Sequence, residues 1–204
     1  MRTLIIGSGG HGRVIADILD VLCEPVIGFL DRDTTRPNVL GTDDQAGQII
    51  ADENIDSFMI GIGSIRGGPS LRSRLFVQYA AMGLTPRVAV HPSAVISKSV
   101  SLGEGTVVMA GAIINSNVRT GVNAIINTGA IIDHDCYIGD HTHIAPGCVL
   151  SGDVKIGAHC LLGTGTIARN GAKLGKNSTI GAGSLLLGNY AADQIYFGNP
   201  ARTR

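Results

Sequence analysis

Residues 130–147, written in sixes, read AIIDHD CYIGDH THIAPG. The same grammar runs without insertion through sixteen hexads, from Ala94 to Asn189. The third position is Ile, Leu or Val in fourteen of the sixteen, Thr120 and Ala168 being the exceptions, and the first is always Ala, Ser, Thr, Cys or Val. Gly, Asn and Asp fill the intervening turns, where the backbone needs conformational freedom. An aliphatic and a small residue recurring together every six positions describe a column of stacked parallel strands. Three hexads close one triangular coil of eighteen residues. Each aliphatic side chain then rests on its counterpart eighteen positions away, at about the 4.8 Å spacing of paired strands.

Such a column is a hexapeptide-repeat β-helix. Resemblance to that group implies a left-handed crossover, an exception to the usual rule, and association into trimers about a threefold axis. The second residue of each hexad points outward, and every third hexad shares a face. Face one carries Val95, Ile113, Ile131, Val149, Ile167 and Leu185. Face two carries Ser101, Arg119, Tyr137, Lys155 and Lys173, and face three Val107, Ile125, His143, Leu161 and Thr179. A continuous aliphatic strip is an aggregation hazard on a lone chain, so face one is expected to join subunits. The alternative is that the N-terminal part of the same chain covers it. Cys136, Cys148 and Cys160 all fall at the small first position, which reads as buried filler and not as a nucleophile.

Upstream the grammar differs. RTLIIG, PVIGFLD and DSFMIGIG read as buried strands, and HGRVIADILDVL, DQAGQIIADEN and SLRSRLFVQYAAMG as helices between and after them, the last ended by Gly83. Residues 1–88 are therefore expected to form a small Rossmann-like α/β domain, and residues 89–204 the β-helix with a C-terminal tail. Within the first part, GSGGHG follows a strand and opens a helix, the setting in which glycines let a phosphate approach a helix N-terminus. Asp31 follows the second strand, where a ribose-binding acid sits. The part is too short for a full dinucleotide fold, so the loop is read as holding the diphosphate of a sugar nucleotide, with Gly9, Gly10, His11, Asp31, Asp33 and Ser64 as candidates. The alternative is that these glycines only permit a tight turn.

Charged residues make up 16% of the 204 and sum to zero, which argues against nucleic acid or a membrane surface as partner. Four cysteines without a signal peptide or a long apolar run fit a cytoplasmic protein. His141 and His159 stack eighteen residues apart on one corner, but no third histidine lies one or two coils from them. They are read as exposed corner residues, and no metal is expected. His134 differs. It lies between Asp133 and Asp135, as a general base oriented by a carboxylate would. It occupies the corner between faces one and two, whereas His143 lies on face three, so the two are expected to meet only across a cleft between subunits.

LIIGSGGHGRVIADIL, IGFLDRD and IGIGS, with NTGAIIDHDCYIGDHTHIAPG and FGNPAR, resemble the NeuD/PglD-type sugar acetyltransferases of bacterial surface-glycan biosynthesis over essentially the whole chain. That resemblance implies direct acetyl transfer from acetyl-CoA to a nucleotide-linked amino sugar, with a 4-amino-6-deoxy hexose as the favoured class. It implies His134 as general base, Asp135 as its orienting acid, His143 against the acetyl group of the donor, and the amide near Gly152 binding the acetyl oxygen. Asp135 stands where some relatives carry glutamate. An O-acetyltransferase acting on sialic acid would share these motifs. A non-enzymatic nucleotide-sugar scaffold or a metal-dependent hydratase using His141 and His159 are the remaining alternatives.

Overall fold

A computed structural model describes every residue except Pro25 and Arg204. The first part is a parallel sheet of five strands: β1 (Thr3–Ile6), β2 (Val26–Leu30), β3 (Val39–Gly41), β4 (Ser57–Ile60) and β5 (Thr85–Pro86), in the order β3-β2-β1-β4-β5. Three helices accompany it, α1 (Gly10–Val21), α2 (Ala46–Asp52) and α3 (Leu71–Ala81). The strands and helices expected from the apolar patterns are all present. Pro25, which opens one predicted strand, lies outside the described residues. The short β3 and β5 were not legible. One is three residues long, and the other contains Pro86, which suits an edge strand only. Gly83 has φ +86 just beyond α3, the left-handed C-terminal position expected of it.

From Ala89 onward the chain is a column of two-residue strands in three sheets, ended by the three-residue strand Ile195–Phe197 and its antiparallel partner Arg202–Thr203. The registers are those of the eighteen-residue period: Ile131 pairs Val149 and Ile113, and Ile138 pairs Ile156. Third-position side chains such as Ile126, Ile144 and Leu162 are 0% exposed and fill the bore together with the first-position residues. Every sixth residue from Gly105 to Gly183 has positive φ, and the non-glycine holders are Asn, Asp and His. Those are the L-residues that tolerate the left-handed region best. The corners therefore explain why Asp135 and His141 stand where they do before any function is invoked.

The first part sits on face three. Val107, Ile125 and Leu161 are 2, 0 and 9% exposed, and Met109, Val107 and Ile125 pack with Ile15, Ile18 and Leu19 of α1. Face one stays open, with Val95 64%, Ile131 36% and Ile167 48% exposed. The alternative in which the N-terminal part covers the aliphatic strip is therefore overturned. The three column cysteines are buried, as their position implied, and their thiols donate to main-chain carbonyls such as Ser151 O and Gly163 O. Burial pushes each of them up to about 11, far from a reactive thiolate.

Candidate active site

The corner between faces one and two arranges His134 from its flanking acids. Asp133 Oδ1 accepts from the His134 amide at 2.8 Å, and Asp135 Oδ2 lies 2.8 Å from His134 Nδ1. The aspartate arm reaches the ring because its own backbone turns back at φ +61. Asn115 and Asn117, one coil earlier, donate to Asp133 and Asp135 at 2.9 and 3.1 Å. Lys155 adds a contact from the next coil, 2.8 Å to Asp135 O and 2.8 Å to Asp153. The hydrogen bond to Asp135 and then the charge of Asp133 hold His134 above its ordinary value of 6.5. With Nδ1 occupied by the carboxylate, Nε2 is the free lone pair.

That Nε2 lies over Gly152. A Cβ built there would fall 2.6 Å from His134 Cε1 and 2.7 Å from Nε2, so only glycine leaves room for the ring. The Gly152 amide makes no hydrogen bond among the described residues, as a donor reserved for a developing oxyanion would require. A groove of about 540 Å³ lies on the far side of Asp135, lined by Asn117, Arg119, Asp135, Tyr137 and Lys155 and by neither His134 nor Gly152.

His143 is placed elsewhere, 8% exposed beneath the N-terminal part of its own chain. Asn127 Nδ2 is 3.0 Å from its Nε2. Burial, and then the charge of Arg72, bring it down to about 4. His11 is its neighbour across the seam, brought down to about 3 by burial, Arg72 and His143 in that order. Neither His11 Nε2 nor His143 Nδ1 has a partner among the described residues.

The nucleotide candidates divide. Gly9, Gly10, His11 and Asp31 line one groove of about 350 Å³, with Arg32, Arg36 and the backbone after β4. It opens at the carboxyl ends of β1, β2 and β4, the place where doubly wound sheets take ligands. Gly9 caps α1 without a side-chain hydrogen bond, leaving its first N–H groups free. Gly12 serves packing, since a Cβ there would meet Gly7 O at 2.0 Å. Asp31 accepts from Ser8 N and Oγ, both at 2.7 Å. Burial raises its carboxyl, but these bonds, that of Asp33 and the Arg36 charge outweigh it and bring it to about 2. Asp33 does not line the groove; Thr35 and Arg36 occupy its carboxylate. Ser64 lines the adjoining loop cavity, which shares Ile62, Gly63 and Leu71 with the groove, and its backbone lies next to His143.

His141 and His159 are not the exposed residues expected. They are half-buried and stacked, centroids 4.8 Å apart and planes at 25°, with Phe76 of α3 edge-on against His141 at 5.5 Å. Among the described residues no group of three or more His, Cys, Asp or Glu is placed to hold a metal ion.

Known proteins share the fold and the family of this chain. The "PglD N-terminal domain" family matches residues 2–78, and "Bacterial transferase hexapeptide (six repeats)" matches residues 153–188. A variant of the perosamine N-acetyltransferase of Caulobacter crescentus, solved with CoA and GDP-perosamine, superposes with a TM-score of 0.94 at 35% identity, over 100% of this chain and 97% of that one. The chain belongs to the NeuD/PglD-type sugar acetyltransferases. The acetyltransferase domain of PglB from Neisseria gonorrhoeae FA1090 is a further member, with a TM-score of 0.92 at 32% identity over 100% and 99% of the two chains. A UDP-N-acetylbacillosamine N-acetyltransferase of Bacillus subtilis (strain 168) is 34% identical over 113 residues, 52% of this chain and 50% of that relative. The match therefore spans half the length of that curated family member.

Sequence reasoning missed Asn115, Asn117, Lys155, Arg32, Arg36 and Arg72. The first three could have been found by sorting positions four, six and two of each hexad into eighteen-residue columns, as was done for the faces. The arginines carry no such period.

Proposed function

We propose that this protein transfers the acetyl group of acetyl-CoA to the amine of a nucleotide-linked amino sugar of the 4-amino-6-deoxy hexose class. The observation that carries the reading is His134, aligned by Asp135 with Nε2 free above Gly152. A thioester already holds a good leaving group, so the protein has to supply an oriented amine, a base for its proton and a donor to the oxyanion. His134 takes the amine proton, the nitrogen attacks the acetyl carbonyl, the Gly152 amide donates to the oxyanion, and CoA leaves as thiolate. The two histidine environments support this division. One imidazole is held above its ordinary value by carboxylates and suits a base, while His143 is kept neutral by burial and suits a hydrogen-bond partner of the acetyl group. The groove at Gly9, Gly10, His11 and Asp31 takes the nucleotide diphosphate, with Arg36 beside it.

Relatives solved with CoA and GDP-perosamine, and with acetyl-CoA, support both substrates. We further take face one as the seam of a homotrimer and the reactive cleft as shared, His134 from one chain and His143 from the next, for the two lie on different sides of one column. Four free cysteines support a cytoplasmic setting, and no helix is long and apolar enough to cross a membrane among the described residues.

The test is a panel of UDP-, GDP- and dTDP-linked 4-amino sugars incubated with acetyl-CoA, reading free thiol. Turnover of at least one of them is expected, and His134→Ala should lower it by ~10²–10⁴-fold with the fold intact. Thiol release with sialic acid alone would reassign the acceptor to a hydroxyl. An unchanged rate in the alanine variant would remove His134 as the base.

A further inference from the structure

Arg72, in the first turn of α3, is 1% exposed and heads the largest fully buried side chains. Its Nη2 donates to the main-chain oxygen of Asn123 and, at 2.8 Å, to Asn123 Oδ1; its Nη1 donates to His141 O at 3.3 Å. All of these acceptors are neutral. None of the ion pairs among the described residues includes Arg72. Burial weakens its hold on the proton, to about 9, which still leaves it charged at neutral pH. An uncompensated buried cation is expensive, and an apolar side chain of similar volume is often as good or better for stability. Hydrogen bonds to carbonyls alone do not account for a guanidinium here.

Its surroundings do. The charge faces His11 from α1, His143 from face three, and His141 and His159 from the corner. Asp140 is the one carboxylate of the corner felt by those histidines, and its Oδ1 accepts from the Val122 amide at 2.9 Å. Phe76, one turn along α3, closes the same seam against His141. One side chain thus reaches from the nucleotide-binding half to the coil that carries His143.

We propose that Arg72 is a positioning residue for acetyl transfer: it clamps α3 to the Asn123–His141 corner and fixes a positive charge beside His11 and His143. This rests on the function proposed above. The charge opposes protonation of both rings, adding to the effect of their burial. Both therefore stay neutral, His11 toward the nucleotide sugar and His143 toward the acetyl donor; because His143 Nε2 accepts from Asn127 Nδ2, its proton lies on the unpartnered Nδ1, which is left to donate.

Two properties are joined in one residue, and three variants separate them. Arg72→Lys keeps the charge and loses the forked grip. Arg72→Met loses both, while Arg72→Gln keeps a donor without the charge. Histidine titrations followed by nitrogen-15 NMR, and the pH profile of kcat/KM, are read for each. In both neutral variants the His11 and His143 titrations should move to higher pH by about one unit or more, while the acid limb of kcat/KM, set by His134, should stay in place. Arg72→Lys should keep the wild-type titrations with a rise in KM for the nucleotide sugar. Unchanged titrations in a folded neutral variant would overturn the proposal. So would failure of both neutral variants to fold beside a lysine variant of wild-type pH profile and KM, which would assign Arg72 to folding alone. The titrations need no acceptor, so they stand or fall apart from the proposed reaction, whose own failure would show as absent wild-type turnover.

Discussion

At the scale of residues the proposed chemistry concentrates in the contact between His134 and Asp135. A base works only when unprotonated, and a raised pKa demands a higher pH for that state. The acid limb of kcat/KM for the wild type is therefore expected above the ordinary imidazole value of 6.5, with activity lost as pH falls through the limb. Asp135→Asn removes the largest contributor to that shift, so its limb should move to lower pH, while kcat drops because Nδ1 loses its carboxylate partner. A pH profile of both proteins checks the direction. A limb that stays in place in the asparagine variant would mean that His134 is not the titrating group.

At the scale of elements the unit is the two-residue strand, which holds no stability of its own and depends on its neighbours above and below. Ile144, 0% exposed, stacks between Ile126 and Leu162. Ile144→Ala should cost ~2–5 kcal/mol, because the strands around it are fixed by main-chain pairing and cannot close the cavity. Thermal or denaturant unfolding measures it. This regularity is also why so much was readable in advance. A six-residue period is a local property of the chain, so faces, corners, buried cysteines and the place of His134 all followed from counting. Which face would receive the N-terminal half did not, because face three looks mixed in sequence and owes its role to contacts of Val107, Met109 and Ile125 with α1. For the same reason His141 read as exposed, although Phe76 comes from a helix outside the period. Asp33 was placed by proximity in sequence, which says nothing about the direction in which a loop turns its side chains. Arg72 carries no signal in the sequence, since only tertiary contact distinguishes it.

At the scale of the molecule, the proposed association through face one would account together for the open aliphatic strip and the two separated histidines. Ile131→Glu combined with Ile167→Glu places charges on that strip without disturbing the bore, which both side chains face away from. Size-exclusion chromatography with light scattering should report a folded monomer in place of a trimer, and turnover should be lost with it. The most direct measurement of the shared cleft mixes two inactive proteins. His134→Ala and His143→Ala chains, unfolded, combined in equal amounts and refolded together, should regain about a quarter of wild-type turnover if association is random, because clefts then form with both imidazoles intact. Activity no greater than the sum of the two separate variants would contradict the account.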